Sequence, residues 1–579
     1  MGKYRHNKRY RWFSRSEYFV ITKYQNDLPK FIHLFVWDLF KCSIFVHTGN
    51  LISRMPFIIY YSSVFQKIQI ILSPHEAADA ELLKQAVARR AGCRPDDISN
   101  LNIVRRSVDA RKRNRVKVIL MVEIFLHGEE FIRRSCDFRF GNVRSCPEVM
   151  IAGAGPAGLF AAFRLIERGY RPVFIERGKE ITDRKRDIAL LCRGGGVNPE
   201  SNYCFGEGGA GAFSDGKLFT RSRKRGDIER VIQLFHFHGA DEEILIDAHP
   251  HIGSDALPSI IGNMRQTIIE CGGEFHFGQK MTDFIIRNGK VSGITTASGD
   301  RFEGQAVILA TGHSARDVYE MFHRNHYLLE PKAFAMGVRV EHLQELINGI
   351  QYHHSPEMQY LPAASYTFAT QVDGRGVYSF CMCPGGTIVP ASTSADGQVV
   401  NGMSSSRRHT AFANSGIVVE TRLTDTEEYA RHGLLAGLRF QQHVEMLAAR
   451  YGGLNQSAPA QRLTDFVKGR ASSGLPACSY LPGVVPSPLH TWLPSHISQR
   501  LQEAFRAFDR MMHGFLTSEA VVVGVESRSS TPMRIPRDAV TMQHPQLHGL
   551  YPCGEGSGYA GGITSSAIDG RNVAEKIGT

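Results

Sequence analysis

A chain of 579 residues with 42% hydrophobic and 21% charged residues has the make-up of a soluble globular protein of two or three domains, which excludes a disordered tail, a collagen and a disulfide-stapled miniprotein. Its formal charge of +12 is concentrated at the start, where the first sixty residues hold 10 Lys and Arg against 3 Asp and Glu; the remainder is nearly balanced, and a nucleic-acid partner is disfavoured. Eleven irregularly spaced cysteines read as reduced thiols of a cytoplasmic protein, and no CxxC pairs or matching histidines offer a metal site, so none is expected.

Residues 1–65 mix Arg, Lys, Tyr, Phe and Trp without a helical or strand period. They read either as a basic, aromatic arm that touches RNA or membrane or, the favoured reading, as an over-long start, with Met55 just ahead of the first regular pattern. The most apolar stretch, Phe31 to Val46, is broken by His33, Asp38 and Lys41, so no membrane span is expected. No signal-peptide layout opens the chain.

A small α+β domain is expected over 66–146: a strand at Ile68 to Leu72, one helix from Ser73 to Ala91, and strands near Leu101 to Val108 and Val116 to Leu126. The basic run Arg105, Arg106, Arg111, Lys112, Arg113, Arg115, Lys117 is read as a solvated hairpin in preference to an RNA or phosphate site, because no aromatic stacking set accompanies it.

The strongest pattern opens the next domain, 147–330. An apolar run, Val149 to Ala152, leads into Gly153-Ala154-Gly155-Pro156-Ala157-Gly158, then a helical pattern, then a second apolar run ending in Glu176. Such a unit binds a dinucleotide. Gly153 permits the tight turn, Gly155 lets the backbone approach a pyrophosphate, and Gly158 lets helix and strand pack. The helix start offers free N–H groups to phosphate. Glu176, 18 residues after Gly158, is placed to accept from ribose hydroxyls. Two distant segments favour FAD over NAD: a strand ending in Ala310-Thr311-Gly312 after a meander from Met281 to Glu303, and Gly554-Glu555 followed by Gly561-Gly562-Ile563 at a helix start. The acid suits ribitol hydroxyls, and the helix start suits the negative charge a flavin gathers on reduction.

With these segments the chain resembles the uncharacterised FAD-dependent dehydrogenase family of bacterial flavoproteins, from about residue 68 to the C-terminus. The likeness extends through Arg105 to Lys112, Gly206 to Leu218, His251 to Asp255, Phe380 to Gly386, Asn401 to Ser404 and Glu526 to Asp538. It implies FAD in a fold akin to glutathione-reductase-type FAD domains, and no settled substrate. Glu555 departs from the Asp commoner at that place in FAD proteins.

The expected class is therefore α/β: a Rossmann-like FAD-binding domain in two parts, 147–330 and 515–579, with an inserted α+β substrate domain, 331–514, and the small N-terminal domain. The loop Gly206 to Gly216 is expected over the flavin, with Gly209, Ala210, Gly211 and Ser214 as contacts; Arg177 and Met281 complete the cofactor set. Cys381 and Cys383 are read as packing in preference to a redox pair, because CxC is a poor dithiol frame. Arg528, Arg534 and Arg537 either clamp an anionic substrate or pair with acids at the domain seam. A lone histidine such as His313 or His354 is taken as structural, and no catalytic acid or base is named. No second GxGxxG unit serves NAD(P)H, so the electron donor stays open between transiently bound NAD(P)H, the substrate and a protein. The leading function is an FAD-dependent oxidoreductase passing hydride between flavin N5 and a small substrate. The rivals are an RNA-associated flavoprotein and an FAD-dependent monooxygenase.

Overall fold

The computed structural model describes residues 45–48, 51–54, 66–112, 115–126, 138–220 and 226–578. The chain divides into two units, Met1–Phe65 and Gln66–Thr579. Of the first, only an antiparallel hairpin, Phe45–Thr48 with Leu51–Arg54, is described. The basic-aromatic extension is otherwise outside the described residues, as are Arg113 and most of the apolar stretch from Phe31. Among the described residues no helix is long and apolar enough to cross a membrane, and no cluster of His, Cys, Asp or Glu is arranged for a metal ion.

The second unit opens with a three-stranded antiparallel sheet in which Lys117–Leu126 lies between Gln66–Leu72 and Ile98–Asp109. Its helical segment is broken where one helix was expected. Ser73 and Glu76 close a reciprocal cap on Pro74–Ala78, and Asp79 then accepts from the N–H groups of Glu81 and Leu82 to start Ala80–Ala91. A carboxylate that can satisfy two orphan donors favours a new start over continuation.

The nucleotide-type unit is a five-stranded, all-parallel sheet in the order Leu550–Pro552, Val307–Leu309, Glu148–Ala152, Arg171–Glu176, Glu274–Phe277. Alternation sorts its side chains. Val149 and Ile151 face a core with the helices Pro156–Glu167, Leu257–Glu270 and Ile563–Glu575. Met150 and Ala152 face the meander strands Met281–Arg287 and Lys290–Thr296 and the helix Arg316–Arg324. From Glu148–Ala152 the chain crosses by a helix to one neighbour, while the other neighbour, Val307–Leu309, arrives from far downstream. Strand order reverses there, the position where open parallel sheets leave a crevice beyond their C-terminal ends.

A seven-stranded sheet from the expected cap segment and the strand after it has Phe334–Leu343 in its middle, between Phe412–Thr421 and Val521–Glu526. Val521–Glu526 lies beyond the boundary expected at 514: the apolar run VVVGVE belongs to the cap sheet. Met336, Val338 and Val340 turn to a core with the helix Ser495–Met511, whose Ile497, Leu501, Phe505 and Phe508 share one face. The alternate residues Arg339 and Glu341 therefore point to the opposite face, and both are almost completely buried.

Candidate functional site

A cavity of about 350 Å³ lies at the crevice, within the range of small-ligand sites. Of the residues expected to hold a cofactor, Gly153, Gly155, Pro156, Ala157, Glu176, Arg177, Gly209, Ala210, Gly211, Ser214 and Met281 line it, as do Ala310, Thr311, Gly312, Gly554, Glu555, Gly561, Gly562 and Ile563. Ala154 and Gly158 do not; both are buried behind its wall.

The three motif glycines have different surroundings. Gly153 has φ +104°, and a Cβ there would stand 2.5 Å from the Ala310 carbonyl oxygen; one on Gly158 would stand 2.2 Å from the Gly153 carbonyl oxygen. Both positions are demanded by the fold. Gly155 has extended backbone, and a Cβ would meet only the Gly209 Cα at 3.7 Å. No packing partner requires its bareness; what lies in front of it is the cavity. Pro156 opens the helix at its first turn, and no side chain caps the N-terminus, so its N–H groups stay available to an anion.

Glu176 is held by three backbone donors: Ala154 N–H at 2.8 Å, Gly178 N–H at 2.9 Å and Gly206 N–H at 3.0 Å. The carboxylate thus ties the glycine turn to the facing loop while still lining the cavity. That loop is fixed by two groups the sequence did not single out. Arg184, wholly buried, donates to the carbonyls of Asn202, Tyr203, Gly206 and Glu207, and burial, only partly offset by the charges of Glu176 and Glu207, pulls its guanidinium down to about 10. Glu207 accepts from Ile181 N–H at 2.7 Å and Arg265 Nε at 2.8 Å. Arg177 lies over the Phe205 ring at 4.0 Å and pairs with Glu200 and Asp317.

At the third segment, Glu555 does not stand alone. Its Oε2 is 3.1 Å from His313 Nδ1, so His313 is a member of the cavity wall. Burial pushes the Glu555 carboxyl up, but the hydrogen bond and charge of His313 outweigh it and hold it below its ordinary value. The cap supplies Phe380, Cys381, Asn401 and Arg528, and the loop after Gly206 adds Asp215 and Lys217. Lys217 donates to the Met382 carbonyl and lies 3.5 Å from Asp215, which Arg408 reaches at 2.9 Å.

The three arginines separate. Arg528 lines the cavity, donates to Ser314 Oγ at 3.2 Å and is held by both oxygens of Glu445 at 3.1 Å. Arg537 is clamped bidentately by Asp569 and stacks on Tyr559 at 3.8 Å. Arg534 lies over the same ring at 5.6 Å. In the basic run, Arg106 pairs with Asp247 and Glu243, and Arg111 with Asp109.

Residues 333–529 match the family model described as FAD-dependent protein, C-terminal domain-like, and residues 65–125 match a domain of unknown function (DUF8436). An uncharacterized protein of Clostridium beijerinckii is 38% identical over 517 residues, which is 86% of this chain and 96% of that protein. Among solved structures, CtdE in complex with FAD is 12% identical and covers 74% of this chain and 84% of its own, with a TM-score of 0.30. Glycine oxidase from Bacillus cereus is 12% identical over 74% of this chain and 97% of its own, at 0.29. At those scores the superpositions carry no argument about the reaction. The cofactor is FAD, and the cavity fits it: the glycine turn at Gly155 leaves space that no side chain fills, beside an uncapped helix start and a carboxylate.

Proposed function

The chain belongs to one family with the Clostridium beijerinckii protein, a family of FAD-dependent proteins, and from that premise we propose that it is an FAD-dependent oxidoreductase of the dehydrogenase or reductase type acting on a small anionic substrate. The observation that carries this reading is the continuity of the cavity: the glycine turn and the two cations Lys217 and Arg528 line one space. When bound, FAD supplies two-electron chemistry at flavin N5. The residues of the chain bind, orient and screen. The helix start at Pro156 takes the diphosphate, and Glu176 takes the ribose. Asn401 Oδ1 already accepts from Arg339 and from Gly402 N–H, which leaves its amide N–H groups to donate into the cavity. Lys217 and Arg528 offer charge to a carboxylate or phosphate of the substrate.

The purified protein is expected to be yellow and to bleach on anaerobic addition of the right donor. A colourless protein that does not take up FAD on reconstitution overturns the reading. NAD(P)H-driven oxygen consumption coupled to hydroxylation overturns the dehydrogenase assignment in favour of a monooxygenase. Glu176→Ala is expected to weaken FAD binding by about 1–3 kcal/mol, as a charged acceptor is lost and the N–H groups it held are left without it. Fluorescence titration of the apoprotein measures this, and unchanged affinity places the ribose acceptor elsewhere.

A further inference from the structure

Sequence alone favours packing as the role of Cys381 and Cys383. The structure adds three observations that a packing role does not account for.

The first is position. Cys381 lies in the wall of the FAD cavity, and the buried Cys383 stands close to it, its Sγ 3.3 Å from the Cys381 carbonyl oxygen. The second is backbone. Phe380 pairs with Gly416 and Cys383 with Asn414, so the strand Arg375–Cys383 carries one extra residue between them, a bulge. Within it Cys381 has φ +45°, the left-handed region, which is strained for a non-glycine residue and gathers at functional sites. The third is charge. Lys217 donates to the carbonyl of Met382, the residue between the two cysteines, and Arg339 donates to the Cys381 carbonyl at 3.3 Å. With Arg408 there are three cations, against the two carboxylates Asp215 and Glu526 that they pair with. One thiolate would balance the set.

We propose that Cys381 and Cys383 are a dithiol–disulfide couple that exchanges two electrons with the flavin in the same cavity. This rests on the FAD-dependent oxidoreductase reading and deepens it by giving the site a second two-electron store. In the forward direction the S–S bond forms as the Cys383 S–H bond breaks. Cys381 reacts as its thiolate, both sulfurs are oxidised, and the proton of Cys383 is released. The electron pair goes to oxidised FAD, which is reduced. The reverse direction regenerates the two thiols. The electrostatics agree with this division of labour: the pairing with the Cys383 thiol, with the charges of Lys217 and Arg339, holds the Cys381 thiol below its ordinary value against its burial. The same pairing, together with burial, pushes the Cys383 thiol up. Low-lying thiolates in cationic, partly open settings are the reactive ones.

The test is an anaerobic dithionite titration of the air-oxidised holoprotein, with FAD content read from absorbance. The wild type is expected to take up about twice as many reducing equivalents per flavin as Cys381→Ser or Cys383→Ala. Alkylation after denaturation supplies a readout that needs no variant: Cys381 and Cys383 should be protected in the oxidised protein and labelled in the reduced one. A yellow wild type that takes up only the equivalents of its flavin, with both cysteines labelled in the oxidised sample, overturns the couple and leaves the flavoenzyme reading standing. A protein that binds no FAD overturns both.

Discussion

Gly155→Val is expected to give a folded protein that purifies without flavin. The argument rests on the contrast among three glycines of one turn. At Gly153 and Gly158 a Cβ would stand 2.5 Å and 2.2 Å from backbone oxygens, so even alanine there forces main chain apart and lowers the melting temperature whatever the ligand. At Gly155 the backbone is extended and accepts valine, and the nearest atom to a Cβ, at 3.7 Å, is at ordinary contact distance. The added methyls then occupy space at the helix start, where the diphosphate belongs. Overpacking of a well-packed region costs about 1–3 kcal/mol, and this wall is pinned by Arg184 and by the Gly208 N–H bond to the Ala154 carbonyl at 2.8 Å, so it has little room to yield. The expected result is a wild-type melting profile for the apoprotein with loss of flavin absorbance after gel filtration. A yellow, fully loaded variant would remove the diphosphate from this turn.

The same turn shows what a sequence can carry and where it stops. Strand, glycines, helix, strand and acid are contiguous, and each follows from a local rule, so the parallel unit from Glu148 to Glu176 was legible. The segments at Ala310 and Gly554 were legible as strand ends; that they meet Gly153 is a matter of sheet order. Arg184 could not be read this way, because its partners are carbonyls, which no residue type announces. Lys217 and Met382 are separated by 165 positions, and nothing in either segment points to the other. His313 looks like a lone histidine in sequence because its partner, Glu555, lies 242 residues on. The sheet membership of Val521–Glu526 is hidden for a related reason. VVVGVE is apolar on both faces and would suit a parallel sheet as well as the buried cap sheet it joins. The helix break at Asp79 is subtler: no glycine or proline marks it, only a carboxylate that caps better than it propagates.

Glu445→Gln is expected to lose about 3–5 kcal/mol of stability at neutral pH, the range for breaking a buried ion pair from one side. Glu445 is 1% exposed and serves two guanidiniums, Arg316 at 2.7 Å and Arg528 at 3.1 Å, with Ser527 Oγ at 2.6 Å. Glutamine keeps the shape and leaves two buried cations without a counter-charge. The pH dependence gives an independent check on the cause. Burial pushes the Glu445 carboxyl up, but Arg316 and Arg528 outweigh it and hold it at about 2. A carboxyl depressed on folding stabilises above its unfolded value, about 4.3, and that contribution is lost as pH falls through the folded value. Wild type should therefore shed about 3 kcal/mol between roughly pH 5 and pH 2 that the variant never had, and the two melting curves should converge toward acid. Because Arg528 also holds Ser314 in the cavity wall, the variant should bind FAD less tightly at neutral pH, in proportion to how far that guanidinium drifts. Equal melting temperatures at pH 7, or a gap that stays constant down to pH 2, would mean that Glu445 is not the anchor of this part of the cap.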